Sequence, residues 1–329
     1  MRPSALPILL ALSFGLLGGC RPSATEPPPD PLSASSHAGG AASPARDAGD
    51  APEPSGGPSA ADAATADAVT ADAAPKAQPT PAAPEGMLLV RGGTFTMGRD
   101  DGGEGDERPA HEATVASYFL DATEVTQEAY AACVAAGVCK EPDPESINAF
   151  AGLFKGPRKP IVGVSWHDAK AYCAWKGKRL PREAEFERAV RGDDGRRFPW
   201  GNDAPTHERT VFETSSPEEV GTHPTGRGPY GHDDLAGNVW EWIEDDYDPL
   251  AYPRGRVGTC EEIKAAQDKL RAEGKQGFTG TNPIPTGCEK TIRGGAYNYP
   301  AAGLRSTNRV HHPAGFRLRM TGFRCARDA

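Results

Sequence analysis

Residues 21–85 constrain this chain most, because 33 of their 65 positions are Ala or Pro and none is Phe, Trp or Tyr. A stretch of that composition cannot bury enough apolar surface to offset the entropy of ordering it. It reads as a disordered tether, which leaves the folded part to residues 86–329. As a loose coil it would span roughly 45 Å, a reach that suits a spacer. That stretch carries a net −6, residues 86–329 only −4 and Arg2 +1, which makes the −9 of the whole chain. No basic face remains for nucleic acid. Past the N-terminus no apolar run reaches the roughly 18 residues of a spanning helix, which excludes a polytopic membrane protein.

Residues 1–20 read as a secretory signal: Arg2, then the apolar run from Ile8 to Leu12, then Leu17-Gly18-Gly19-Cys20. That ending resembles the bacterial lipobox, in which the Cys is acylated and becomes the new N-terminus. The expectation is a protein lipid-anchored through Cys20 in the cell envelope. Arg21, standing where an Asp would signal inner-membrane retention, favours the outer membrane. If Cys20 carries lipid, six cysteines remain, an even number suited to an oxidising compartment. One pairing joins Cys133 to Cys139, Cys260 to Cys288 and Cys173 to Cys325, but six cysteines allow fifteen connectivities. No C-x-x-C or Cys/His spacing suggests zinc.

Within residues 86–329 the pattern predicts an irregular α+β domain rich in loops. Met87–Val90 and Thr94–Met97 around Gly92-Gly93 read as strand, turn, strand. A helix is expected from Thr126 to Gly137. Another starts at the capping box of Ser165 and Asp168 and stops at Gly177. Pro181 opens a third, with Glu183 and Glu185 in its first turn and Arg188 and Arg191 in its last, signs that suit the helix dipole. A fourth runs from Glu261 to Glu273, inside an insertion at 260–288 that its two cysteines would staple.

Chemistry-bearing motifs are sparse. Gly226-Arg227-Gly228-Pro229-Tyr230-Gly231 fits a dinucleotide-binding pattern by letters only, since Pro interrupts it and no amphipathic helix follows. His311-His312 is an imidazole pair whose members would face opposite sides of a strand. More informative is Gly237-Asn238-Val239-Trp240-Glu241-Trp242, with Asp233, Asp234, Glu244, Asp245 and Asp246 close by in sequence. Oxygen ligands on a turn in an extracytoplasmic protein suggest Ca²⁺.

Ordered strings then carry a resemblance. They include Val90-x-Gly92-Gly93-x-Phe95-x-Met97-Gly98, Asp121-x-x-Glu124-Val125-Thr126, and Gly163-Val164-Ser165-Trp166 continuing to Trp175. Further along come Gly177-Lys178-Arg179-Leu180-Pro181-x-Glu183-Ala184-Glu185-Phe186-Glu187, Pro199-Trp200-Gly201 and Leu235-Ala236-Gly237-Asn238-Val239-Trp240-Glu241-Trp242. Arg293-Gly294-Gly295 and Gly322-Phe323-Arg324-Cys325 complete the series. Together they resemble the formylglycine-generating enzyme (sulfatase-modifying factor) family over about residues 86–329. The resemblance implies an irregular fold related to C-type lectin-like domains, with low secondary-structure content, and a Cys173–Cys325 bridge. It also implies a calcium site made by the side chains of Asp234 and Glu241 and the carbonyls of Gly237 and Val239. A further family calcium site should be missing, since Thr210-Val211-Phe212 replaces its ligand string.

The departure falls after Arg293-Gly294-Gly295. The family's enzymes carry Ser next, then two cysteines that bind Cu(I) and oxidise a substrate cysteine with O₂. Here those positions hold Ala296, Tyr299 and Leu304, and neither a phenol nor an alkyl group supplies the soft thiolates Cu(I) requires. The reading is therefore a non-catalytic binding or scaffold module with Ca²⁺ and without copper. Its peptide, protein or glycan ligand would be met by Asn298, Tyr299, Arg305, Asn308 and Arg309. The alternative is an oxidoreductase, formylglycine-generating-like or a non-haem-metal enzyme drawing on His232, His311 or His312, that acts on a peptide or small molecule.

Overall fold

The computed structural model describes residues 82–148, 152–275 and 284–329, all within the compact unit Pro75–Ala329. The signal, Cys20 and nearly all of the tether lie outside the described residues. Three small sheets carry the strands. β1 (Met87–Val90), β4 (Tyr118–Asp121) and β9 (Ala326–Asp328) form one, in the order β1-β4-β9; β2 (Gly93–Met97) and β3 (His111–Val115) form the second. The third joins β7 (Val310–His312), β6 (Lys290–Arg293), β5 (Trp240–Asp246) and β8 (Thr321–Gly322) in that order. The rest is short helices and long loops, a mixed α+β fold with low secondary-structure content.

The strands flanking Gly92-Gly93 do not pair with each other, which corrects the strand–turn–strand expectation. Val90 pairs with Tyr118 in the first sheet, whereas Gly93 pairs with Val115 in the second. Both chains change sheet at one crossing, where the backbone of Ala116 and Ser117 presses on Gly92. A Cβ at Gly92 would lie 2.5 Å from the Ser117 nitrogen, so the glycine serves a close approach rather than a hairpin.

Helices form where the capping chemistry places them. Thr126 caps Gln127–Ala135, and Ser165 with Asp168 closes a full capping box on Trp166–Trp175. Thr259 and Glu262 do the same for Cys260–Ala272, which buries Ile263, Ala266 and Leu270 on one stripe. The third helix runs Glu183–Arg191 and begins two residues after Pro181, with Arg182 at its cap. Its charges are not a solvated complement to the dipole: all its residues except Ala184 are buried. Bridges join Cys133 to Cys139, Cys173 to Cys325 and Cys260 to Cys288, the pairing expected among the fifteen. Among the described residues no helix is long and apolar enough to cross a membrane.

Trp240 and Trp242 hold the centre. Both are fully buried on one face of β5, in a core with Tyr130, Phe154, Val164, Tyr172, Ile292, Tyr297 and Phe323. The Trp242 indole N–H donates to the Val164 carbonyl at 3.0 Å. This core and the Cys173–Cys325 bridge fix the start of β5 and, through the Glu241–Arg293 pairing, the end of β6, from which the candidate site hangs.

Candidate functional site

Two consecutive glycines turn the chain out of β6 into the loop of interest. Gly294 and Gly295 adopt φ of +98° and +84°, and a Cβ at Gly295 would stand 2.8 Å from Leu304 Cδ2. The loop folds back tightly: Tyr299 N–H donates to the Ala296 carbonyl at 2.9 Å, and a 3-10 turn covers Ala301–Leu304. Tyr299 meets Trp240 edge to face, with centroids 5.1 Å apart, and burial pushes its phenol up. Leu304 is buried against Phe198, Phe212 and Ala236. The two positions where the resemblance places copper-binding sulfurs thus hold an aromatic ring and an apolar plug. Every cysteine among the described residues is already in a disulfide.

Beneath the loop lies a lattice of buried ions. Arg293 reaches Glu183 at 3.1 Å and Glu187 at 2.6 Å, while Arg309 grips both oxygens of Glu183 at 2.7 and 2.9 Å. Arg191 bonds Glu187 at 3.1 Å, and Tyr252 and the Gly98 N–H also donate to that carboxylate. Arg305 and the Thr307 hydroxyl hold Glu107, each at 2.5 Å. Burial works to raise Glu107 and Glu187, but the arginines around them hold both below the usual carboxylate range.

This lattice corrects the expected ligand surface. Arg305 and Arg309 are framework ions, and Asn308 is buried and donates to the Gly303 carbonyl at 2.9 Å. Of the five residues named from the sequence, Asn298 is exposed and Tyr299 half-buried. Sequence patterning missed the lattice because its partners come from distant segments, 126 positions apart for Glu183 and Arg309 and 198 for Glu107 and Arg305.

The calcium string folds into a buried carboxylate cluster. Arg324 forks onto Glu241, giving Nε to Oε2 at 2.7 Å and Nη2 to Oε1 at 2.9 Å, and also reaches the Asp234 carbonyl. Asp234, at φ +56°, accepts the Gly221 N–H at 2.7 Å. Glu124, which sequence reading did not assign, accepts from Asn238 at 3.1 Å through one oxygen, and its other oxygen is buried without a hydrogen-bond partner. Burial raises the carboxyls of Glu124, Asp234 and Glu241, and Asp234 raises Glu124 further. Three buried acids therefore share one guanidinium.

The remaining acids do not gather there. Asp233 pairs with Arg227, Glu244 with Lys170 and Asp246 with Lys290, while Asp245 accepts the Glu183 N–H. Alternation along β5 disperses them. The three histidines do not converge either. His232 is fully buried and its imidazole is pushed down to about 3 by that burial. His311 bonds Glu289 at 2.7 Å and packs on Tyr247, and His312 stacks on Phe316. Among the described residues no three His, Cys, Asp or Glu side chains are grouped to hold a metal ion.

The profile described as "Sulfatase-modifying factor enzyme 1-like domain" matches residues 71–329. The chain belongs to the sulfatase-modifying factor family. It is 30% identical to the formylglycine-generating enzyme of Streptomyces coelicolor, with 77% of this chain and 94% of that protein covered. It is 33% identical to the inactive C-alpha-formylglycine-generating enzyme 2 of Mus musculus, covering 53% of this chain and 73% of that one. The serine/threonine-protein kinase Pkn1 of Chlamydia trachomatis is 29% identical over 76% of this chain, which spans only 39% of that protein's length. Among solved structures, PvdO from Pseudomonas aeruginosa superposes with a TM-score of 0.56 at 26% identity, covering 74% of this chain and 94% of that one. Two of the sulfatase-modifying factor strings now have a physical account. Arg293 of Arg-Gly-Gly pairs with Glu183 and Glu187 of the Leu-Pro-x-Glu motif, and together they stiffen the base of the loop.

Proposed function

We propose that this protein is a membrane-anchored, extracytoplasmic member of the sulfatase-modifying factor family that binds a ligand and does not oxidise cysteine. One observation carries the reading: Tyr299 and Leu304 stand where the resemblance assigns copper-binding thiolates, and all six domain cysteines are bridged. Similarity to a mouse relative named as inactive is consistent with it. Cys20 supplies the anchor and the Ala/Pro tract the spacing from the outer membrane. Asn298 and Tyr299 present the accessible part of the loop to a peptide, protein or glycan on the envelope, over a base fixed by the buried ions. Elemental analysis of purified protein after dialysis tests this: copper well below one per chain is expected, and stoichiometric copper refutes it.

Calcium belongs to the same proposal. Asp234 and Glu241, with the carbonyls of Gly237 and Val239, would hold it, Glu241 releasing Arg324 to do so; three buried acids facing one arginine, with one Glu124 oxygen unpartnered, support the reading. Bound calcium would supply the missing positive charge. EGTA is expected to lower the melting temperature at neutral pH. These carboxyls are raised in the folded state, so without the cation they oppose folding as pH climbs from their unfolded values toward their folded ones. The EGTA effect should therefore shrink in mildly acid buffer. No shift at neutral pH would reject the site.

A further inference from the structure

A cleft of about 310 Å³ opens where the Glu183–Arg191 helix ends, walled by Arg99, Arg191, Arg196 and Arg197. Asp101 is the acid on its wall and is 94% exposed. Three of the four cations have a carboxylate partner: Arg99 has Asp101, Arg191 has Glu187 at 3.1 Å, and Arg196 makes two bonds to Asp194 at 2.9 and 2.7 Å. Arg197 is exposed and has no carboxylate partner among the described residues; its guanidinium lies over the Phe198 ring at 5.5 Å. Arg191 is 7% exposed and spends its Nη atoms on Gly98, Glu187 and Gly195, yet its buried Nε has no acceptor. A buried donor without an acceptor is costly, and this one belongs to a side chain that lines the cleft. Asn202 and Ser306 add an amide and a hydroxyl to the wall.

We infer that this cleft binds a phosphate or sulfate ester on a ligand of about single-sugar size. Guanidinium forks match oxyanions in charge and geometry. Here they come from two stretches of the chain, Arg99 from one and Arg191, Arg196 and Arg197 from the other, so donors on different parts of the wall can meet a tetrahedral anion better than a planar carboxylate. The volume falls at the small end of ligand pockets, and the amide and hydroxyl suit the rest of a polar ligand. None of the four arginines occupies position 299 or 304, so the inference stands independently of whether the loop is catalytic.

The test uses the full-length protein titrated with inorganic phosphate, inorganic sulfate or acetate at matched ionic strength, read by calorimetry and thermal shift. Saturable binding of phosphate or sulfate is expected, with acetate at least about tenfold weaker; the stronger of the two tetrahedral ions identifies the ester. Arg197→Gln removes an exposed cation with no ion pair to lose. It should weaken the preferred anion about tenfold while leaving the ligand-free melting temperature unchanged. Arg99→Gln repeats the measurement from another segment of the wall. Absence of saturable binding, acetate binding as tightly as the tetrahedral ions, or unaltered affinity in both variants would overturn the inference.

Discussion

Replacing Glu187 with Ala is expected to destabilise the domain by about 3–5 kcal/mol, the cost of breaking a buried ion pair from one side. Glu187 is fully buried and accepts from Arg293, Arg191, Tyr252 and the Gly98 N–H. Its loss leaves two guanidiniums facing an apolar methyl. Glu187→Gln should cost less, because the amide oxygen still accepts. A Glu187→Met, Arg293→Met pair should recover part of the loss, since it strands one guanidinium, that of Arg191, instead of two. Denaturant unfolding measures all three, and an Ala variant within about 0.5 kcal/mol of the parent, the range usual for surface changes, would contradict the lattice. The same groups set the acid limit. Glu187 and Glu107 are depressed in the folded state, so their contribution is present above the unfolded carboxyl value of about 4. It is lost as pH falls through their lower folded values.

Opening the Cys173–Cys325 bridge is the second large effect. It closes a loop across 152 positions of sequence separation, and on the chain-entropy account such a cross-link contributes about 5 kcal/mol, an upper figure. The paired Cys173→Ala, Cys325→Ala variant should therefore lose far more stability than the Cys133, Cys139 pair. The latter closes a six-residue separation and contributes about 2 kcal/mol on the same account. Both cysteines of the long bridge are fully buried, beside Tyr172 and Phe323 in the core, so slow reduction under native conditions is also expected. Equal losses from the two variants would show that the long bridge is not the main constraint.

What sequence could convey was local or carried by ordered strings. Thr126, Ser165 with Asp168, and the Ile263–Ala266–Leu270 stripe act within a few residues, and their helices formed where the chemistry pointed. The family strings gave the fold class. Interior charge was not legible, because Glu183, Glu187, Arg293 and Arg309 look like solvent-facing residues until partners more than a hundred positions away arrive. The same limit misplaced Arg305 and Arg309 on a ligand surface, whereas Asn308 turns inward to the Gly303 carbonyl within the loop itself. Gly92-Gly93 was misread for a related reason: a glycine needed for close approach to Ser117 looks the same in sequence as one needed for a turn. Glu124 escaped notice because its string sits 114 positions before Asn238, its hydrogen-bond partner.

Chemistry at the loop after Gly295 separates a binder from an oxidase, and the deciding assay incubates the purified protein with Cu(I), O₂ and a sulfatase-type cysteine peptide. Mass spectrometry with an aldehyde-trapping hydrazide should find only the starting thiol and its disulfide. An aldehyde formed catalytically, and abolished by Tyr299→Phe or by Leu304→Ala, would contradict the account.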